Sequence, residues 1–166
     1  LDWEWSPARH KQRKQRLFGS TRLEGLHYRR CRGPLIHQLD WLHRFCDANS
    51  IRFLAVDSVT LACDGKLIDD DVATRFHRTL SYLPASLCAA HVPKSSLNPE
   101  NKSDPIGPFG SIHFYNLCRA SWFVKKEPGD NSSRIRVGLF RDKQNDGDPT
   151  SASGLEFIFH PHSGPI

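Results

Sequence analysis

Ile51-Arg52-Phe53-Leu54-Ala55-Val56-Asp57 is a near-continuous apolar run that stops on an acid. Runs of this kind predict strands buried on both faces, as in a parallel sheet. Upstream, Leu35, Leu39, Leu42 and Cys46 recur at helical spacing, with Ile36 and Phe45 beside them. That pattern predicts a helix introduced by Gly33-Pro34 and ending near Asn49. Downstream, Asp69-Asp70-Asp71 places negative charge at a helix start, and Val72, Phe76, Leu80 and Leu83 supply its inward stripe before Pro84 ends it. A second apolar strand is expected over Leu87–Val92, finishing in His91-Val92-Pro93-Lys94. The alternation of strand and helix implies a doubly wound, mostly parallel α/β sheet.

Further out, Leu1–Trp5 reads as a short strand, and Ser6-Pro7 as a helix cap followed by proline at the first helical position. A basic helix should then run to about Phe18, closed by Gly19 and Ser20, with another short strand at Leu26–Cys31. On the far side, Pro93–Phe109 carries Pro93, Pro99, Pro105 and Pro108, a loop long enough to be functional or disordered. Gly110–Cys118 looks helical. Ala120–Lys126, Arg134–Arg141 and Leu155–His160 read as antiparallel strands, with turns at Gly129-Asp130-Asn131 and Asn145-Asp146-Gly147. The 166 residues show no internal repeat and suit a single domain spanning 1–166.

Composition narrows the classes. With 38% hydrophobic and 25% charged residues the chain is globular. No apolar run is long enough for a spanning helix and no secretory signal is visible, so no membrane partner and a cytoplasmic location are expected. There is no Met, even at position 1, and the chain reads as a fragment. Cys31, Cys46, Cys63, Cys88 and Cys118 form no C-x-x-C pair, which suits buried reduced thiols better than disulfides or zinc. The net charge of +5 lies entirely in residues 1–50, which hold ten Lys/Arg against five Asp/Glu; the remainder balances at thirteen of each. Most of the excess is in Arg9-His10-Lys11-Gln12-Arg13-Lys14-Gln15-Arg16. Taken alone that stretch reads as a solvated helix face, with attraction for phosphates as the alternative.

Three candidate strands end in Glu4, Asp57 and His91. In open α/β sheets ligands bind at the carboxyl ends of strands, so all three should reach one edge. A carboxylate such as Asp57 can hold the water shell of Mg²⁺. Another near a nucleotide can orient the attacking water, and a polar residue can sense the terminal phosphate. The plainer alternatives are that Glu4 caps the basic helix and that His91 is a hydrogen-bonded residue at a strand end. A serine hydrolase is excluded, because Val56-Asp57-Ser58-Val59-Thr60 lacks the glycines of a nucleophile elbow. His160 and His162 have no third ligand nearby in sequence.

Leu1-Asp2-Trp3-Glu4-Trp5, Phe53–Ser58, Ala90-His91-Val92-Pro93-Lys94, Pro108-Phe109-Gly110-Ser111, Arg119 with Trp122, and Arg141-Asp142-Lys143-Gln144-Asn145 occur in that order. In this order and spacing they resemble the RecA-like P-loop ATPases, in particular the RepA-type hexameric helicases and the phage-associated AAA family ATPases similar to them. The resemblance covers nearly the whole chain. It implies a RecA-like core that uses ATP and Mg²⁺ and acts on single-stranded DNA, as a homo-oligomeric ring, hexameric in the parent protein. By position, Asp57 resembles the Walker B aspartate, with Ser58 beside it at the cofactor, and Glu4 the glutamate that polarises water. His91 resembles the γ-phosphate sensor and Arg119 an arginine finger acting across a subunit interface, with Lys143 a second basic residue aimed at the neighbour's nucleotide. Lys94 and Lys102 lie in the loop that would contact DNA. One element is missing: no G-x-x-x-x-G-K-[ST] occurs, and Cys63-Asp64-Gly65-Lys66-Leu67 has neither the first glycine nor the Ser/Thr. The chain is therefore expected to begin just downstream of the phosphate loop and to be inactive alone. A non-hydrolysing nucleic-acid-binding module and a regulatory ring subunit are the other functions considered.

Overall fold

The computed structural model describes residues 1–19, 23–93, 107–126, 134–145 and 153–158. The fold is mixed α/β, with one parallel and one antiparallel sheet. By its contacts the chain divides into two compact units, Leu1–Pro7 with Leu26–Leu117, and Ala8–Gly25 with Cys118–Ile166. No helix among the described residues is long and apolar enough to cross a membrane.

In the first unit a 3₁₀ turn at Leu35–Gln38 leads into α2 (Leu39–Ala48), the pair occupying the stretch predicted as one helix. β1 (Phe53–Asp57) follows, then the single turn α3 (Val59–Ala62), α4 (Asp70–Ser81), β2 (Ala85–Ala89) and the short α5 (His113–Asn116). β1 and β2 are parallel, with Phe53 opposite Ala85 and Asp57 opposite Ala89. The core gathers Trp3, Leu35, Leu42, Val56, Val59, Ala62, Leu67, Val72, Ala73, Phe76 and Phe114, with Leu80 and Leu83 packed against it. The α4 stripe predicted from sequence therefore faces inward as expected. Cys31, Cys46 and Cys63 are buried, and none of the five cysteines forms a disulfide. Burial, followed by the neighbouring Cys88, pushes the Cys63 thiol up to about 12.

Three expectations need correction. β1 is not buried on both faces: Leu54 and Val56 point into the core, whereas Phe53 (59% exposed), Ala55 and, on β2, Leu87 (56%) lie uncovered. The periodicity is that of a half-buried strand with apolar residues on its bare side. β2 is also displaced from the expected Leu87–Val92, because its ladder partner ends at Asp57, opposite Ala89, leaving residues beyond with nothing to pair. Finally, the expected strands at Leu1–Trp5 and Leu26–Cys31 shrink to two parallel bridges, Asp2 with Arg30 and Asp2 with Asp57. The chain leaves the ladder there because the Asp2 carboxylate accepts from the backbone N–H groups of Glu4 (2.8 Å) and Trp5 (2.9 Å), turning the backbone away.

The segment entering α5 is held against α4. Ser111 N donates to the Leu67 carbonyl (2.7 Å), Ser111 Oγ donates to Asp70, and His113 N donates back to Ser111 Oγ (3.1 Å). With Ser111 so engaged, α5 starts only at His113, later than the Gly110 predicted. Gly110 has φ +120°, and a Cβ there would lie 2.6 Å from the Leu67 carbonyl oxygen. Gly110→Ala is therefore expected to destabilise the unit by more than about 1 kcal/mol, read as a lower urea midpoint at unchanged slope. An unaltered midpoint would show that this turn relaxes freely.

In the second unit, α1 (Pro7–Phe18) begins on the proline predicted at its first position. β3 (Ala120–Lys126), β4 (Arg134–Gln144) and β5 (Ser153–Ile158) form an antiparallel sheet in that order. β4 runs three residues past the predicted Arg141, and β5 starts two residues before Leu155, because each pairs residue by residue with its neighbour. Of Trp122, Phe123 and Val124, which the sequence suggests for a core, Phe123 is half-buried, whereas Trp122 and Val124 are 51% and 57% exposed.

Candidate functional site at the strand ends

β1 lies between the Leu1–Trp3 segment and β2. On one side Leu1 N donates to Ala55 O (2.8 Å), Asp57 N to Leu1 O (3.0 Å) and Trp3 N to Asp57 O (2.8 Å); on the other, Asp57 is opposite Ala89. All three segments run parallel, so their carboxyl ends share one edge. Asp57 closes the middle strand there. Glu4 follows two residues after the Asp2 bridge, and His91 two residues after Ala89. The three predicted residues thus end strands on one edge, and two of them come into contact: His91 Nε2 stands 3.5 Å from Glu4 Oε1. His91 is further tied by its carbonyl, which accepts from Phe109 N (2.7 Å), so residues after the long loop return to the same edge.

Ser58 follows Asp57 across a cis peptide bond. It occupies the position before α3, yet its side chain makes no capping hydrogen bond. The hydroxyl is buried, with the residue 1% exposed, and has no hydrogen-bond partner. A buried hydroxyl without a partner is costly, and Ser58 Oγ, next in sequence to the Asp57 carboxylate, keeps unused hydrogen-bonding capacity. That donor set suits Mg²⁺, a hard cation that takes oxygen ligands, keeps several waters and needs only one or two protein groups alongside phosphates. Among the described residues no group of three or more His, Cys, Asp or Glu gathers as a metal cage. Asp57 and Ser58 would hold such an ion through water or phosphate.

Sequence reasoning missed Asp2. Its side chain is almost wholly buried, at 8% exposure, and it organises the turn that presents Glu4. One oxygen takes the Glu4 and Trp5 N–H groups, while the other receives the Tyr28 hydroxyl (3.2 Å), which also lies 3.0 Å from the Trp5 carbonyl. Burial, then the Asp2 carboxylate, pushes the Tyr28 phenol above its ordinary value. The available signal was an aspartate two residues ahead of Glu4, where an Asx-type turn can form.

No protein-family model matches the chain. Comparison with curated proteins likewise returns no match.

Arg119 and Lys143 belong to the second unit. Arg119 is exposed and immediately precedes β3; its carbonyl accepts from Asn145 N (2.9 Å), while Ala120 pairs with Gln144 and Ser121 with Lys143. A register shift between Ser121 and Trp122 marks the same end of the β3–β4 pair. The two predicted basic residues thus sit at one end of one hairpin. Lys94 and Lys102 lie outside the described residues.

Proposed function

We propose that the chain is part of a RecA-like ATPase that couples ATP hydrolysis to single-stranded DNA, working as a ring of identical subunits. The observation that supports this reading is the shared strand edge on which Glu4, Asp57 and His91 follow parallel segments, with Glu4 and His91 3.5 Å apart. Asp57, with Ser58 next in sequence, would position Mg²⁺, which supplies neutralising charge for the phosphates. Glu4 would orient the attacking water. His91, one contact away from Glu4, would report the state of the terminal phosphate to it. Arg119 and Lys143, on the other unit, would serve the nucleotide of an adjacent subunit, and Lys94 and Lys102 the DNA. The phosphate cradle would come from polypeptide outside these 166 residues, because none of their glycines has the required spacing to a Gly-Lys.

The test uses the full parent polypeptide. Its sequence should hold G-x-x-x-x-G-K-[ST] within about one βα unit before Leu1. It should hydrolyse ATP in a Mg²⁺-dependent way, with Asp57→Asn raising the Mg²⁺ concentration needed for half-maximal nucleotide binding by roughly tenfold or more. A parent without that loop, or with Mg²⁺-independent nucleotide binding, would remove the enzymatic reading.

A further inference from the structure

A cavity of about 270 Å³ lies at the amino ends of β1 and β2, the opposite end of the parallel pair from Asp57. Its wall comes from three segments of the first unit. The second half of α2 gives His43, Cys46 and Asp47, the approach to β1 gives Ile51 and Arg52, and the turn after α4 gives Tyr82 and Pro84. Arg52 precedes Asp57 by five residues, about 16 Å of extended chain. At about 30 Å³ per water the cavity holds roughly nine waters, so its occupant is small.

The charges on this wall do not balance. His43 Nδ1 stands 3.1 Å from Asp47 Oδ2, so those two groups answer each other. Burial, and then Asp47, pushes the Cys46 thiol up, which keeps it uncharged at neutral pH. Arg52 is left over: its guanidinium makes no hydrogen bond, ion pair or ring contact among the described residues. One planar cation with its donors unused calls for one anionic group, and a carboxylate matches its fork with two parallel hydrogen bonds. A phosphate dianion fits less well. α2 and α4 both end beside the cavity, at Ala48 and Ser81, and the partial negative charge of helix carboxyl ends opposes a second anionic charge. The remaining wall suits an apolar body. Ile51 and Pro84 supply hydrocarbon, and Tyr82, 59% exposed at the end of α4, has a ring that touches no other ring among the described residues.

We propose that this cavity binds a small monocarboxylate with an apolar or aromatic body, its carboxylate on the Arg52 guanidinium and its body against Tyr82, Ile51 and Pro84. Substrates of open α/β sheets bind at the carboxyl ends of the strands, so a site at the amino ends is a second one, and it stands or falls separately from the ATPase reading.

The experiment follows binding of 3-phenylpropanoate to the chain by saturation-transfer NMR, without nucleotide. Binding should saturate with a Kd at or below about 1 mM, within reach of a ligand of about eleven heavy atoms. Arg52→Gln should weaken it roughly tenfold or more. Arg52→Lys should weaken it less, since the ammonium keeps the charge but not the fork. Tyr82→Ala should weaken it about fivefold. Both side chains are exposed, so thermal unfolding of these variants should match that of the unmodified chain. Arg44→Gln, on α2 but outside the cavity, should bind as the unmodified chain does. Phenethylammonium, the same body with the opposite charge, and inorganic phosphate should not displace the ligand at equal concentration. No saturable binding by about 10 mM, binding unaltered in Arg52→Gln, an equal loss in Arg44→Gln, or displacement by either competitor overturns the proposal.

Discussion

Arg119→Ala in the assembled parent should reduce ATP turnover by roughly 10³- to 10⁵-fold, the range an arginine supplied from a neighbouring subunit contributes to phosphoryl transfer. Arg119 lies outside the described hydrophobic core. It is exposed, precedes β3, and shares its end of the hairpin with Lys143. Removing its side chain should therefore leave thermal unfolding close to that of the unmodified protein. A fall in turnover without a fall in stability separates a transition-state role from a structural one. Full activity in Arg119→Ala, or loss of the folded state, would remove the arginine-finger assignment.

Glu4→Gln should abolish most hydrolysis, by roughly 10²- to 10⁴-fold, with nucleotide binding largely intact. The amide keeps the shape of the side chain and the backbone hydrogen bond to Asp2, but it cannot take a proton from water. Asp2, rather than the Glu4 side chain, shapes this turn, so the substitution leaves its geometry in place. Normal turnover would reduce Glu4 to the partner of His91 and favour a non-hydrolysing subunit. The two variants also complement each other. Mixed rings of Arg119→Ala and Glu4→Gln subunits should regain activity wherever an intact arginine meets an intact glutamate, about one interface in four for a random equal mixture in a head-to-tail ring. No recovery on mixing would mean that both residues serve the same subunit's nucleotide.

The sequence revealed helices better than strands. The α4 stripe of Val72, Phe76 and Leu80, continued by Leu83 just past the helix, was legible because its period and its acidic start agreed, although the helix ends at Ser81, before the predicted stop at Pro84. β1 was legible as a parallel strand but not in its burial, since alternation cannot show which neighbours cover each face and Phe53 and Ala55 are apolar on the bare one. The end of β2 was misplaced because Cys88-Ala89-Ala90 carries little side-chain signal; the limit is set by where β1 stops. The meeting of Glu4 and His91 was inferable from strand polarity alone. Asp2 was missed, because its role lies in two local backbone hydrogen bonds and one from Tyr28, 26 residues on, none of which leaves a periodic trace.

The parallel alignment of Asp2, Asp57 and Ala89 also dictates where the chain can change length. Deleting one residue inside Phe53–Asp57 would exchange the buried and bare sides of the strand and withdraw Asp57 from the edge by about 3.3 Å. One residue added between Ala89 and His91 would carry the imidazole away from Glu4. The connections beginning at Ser58 and ending at Pro84 enter and leave the ladder without setting its register, and surface segments absorb insertions at small entropic cost. Tags, permutation points or grafted loops therefore belong in exposed connecting turns such as that around Asp64–Lys66, clear of Gly65 itself, whose φ of +125° and closeness to Val72 leave no room for a side chain. Length, more than residue identity, is the constrained variable along these strands.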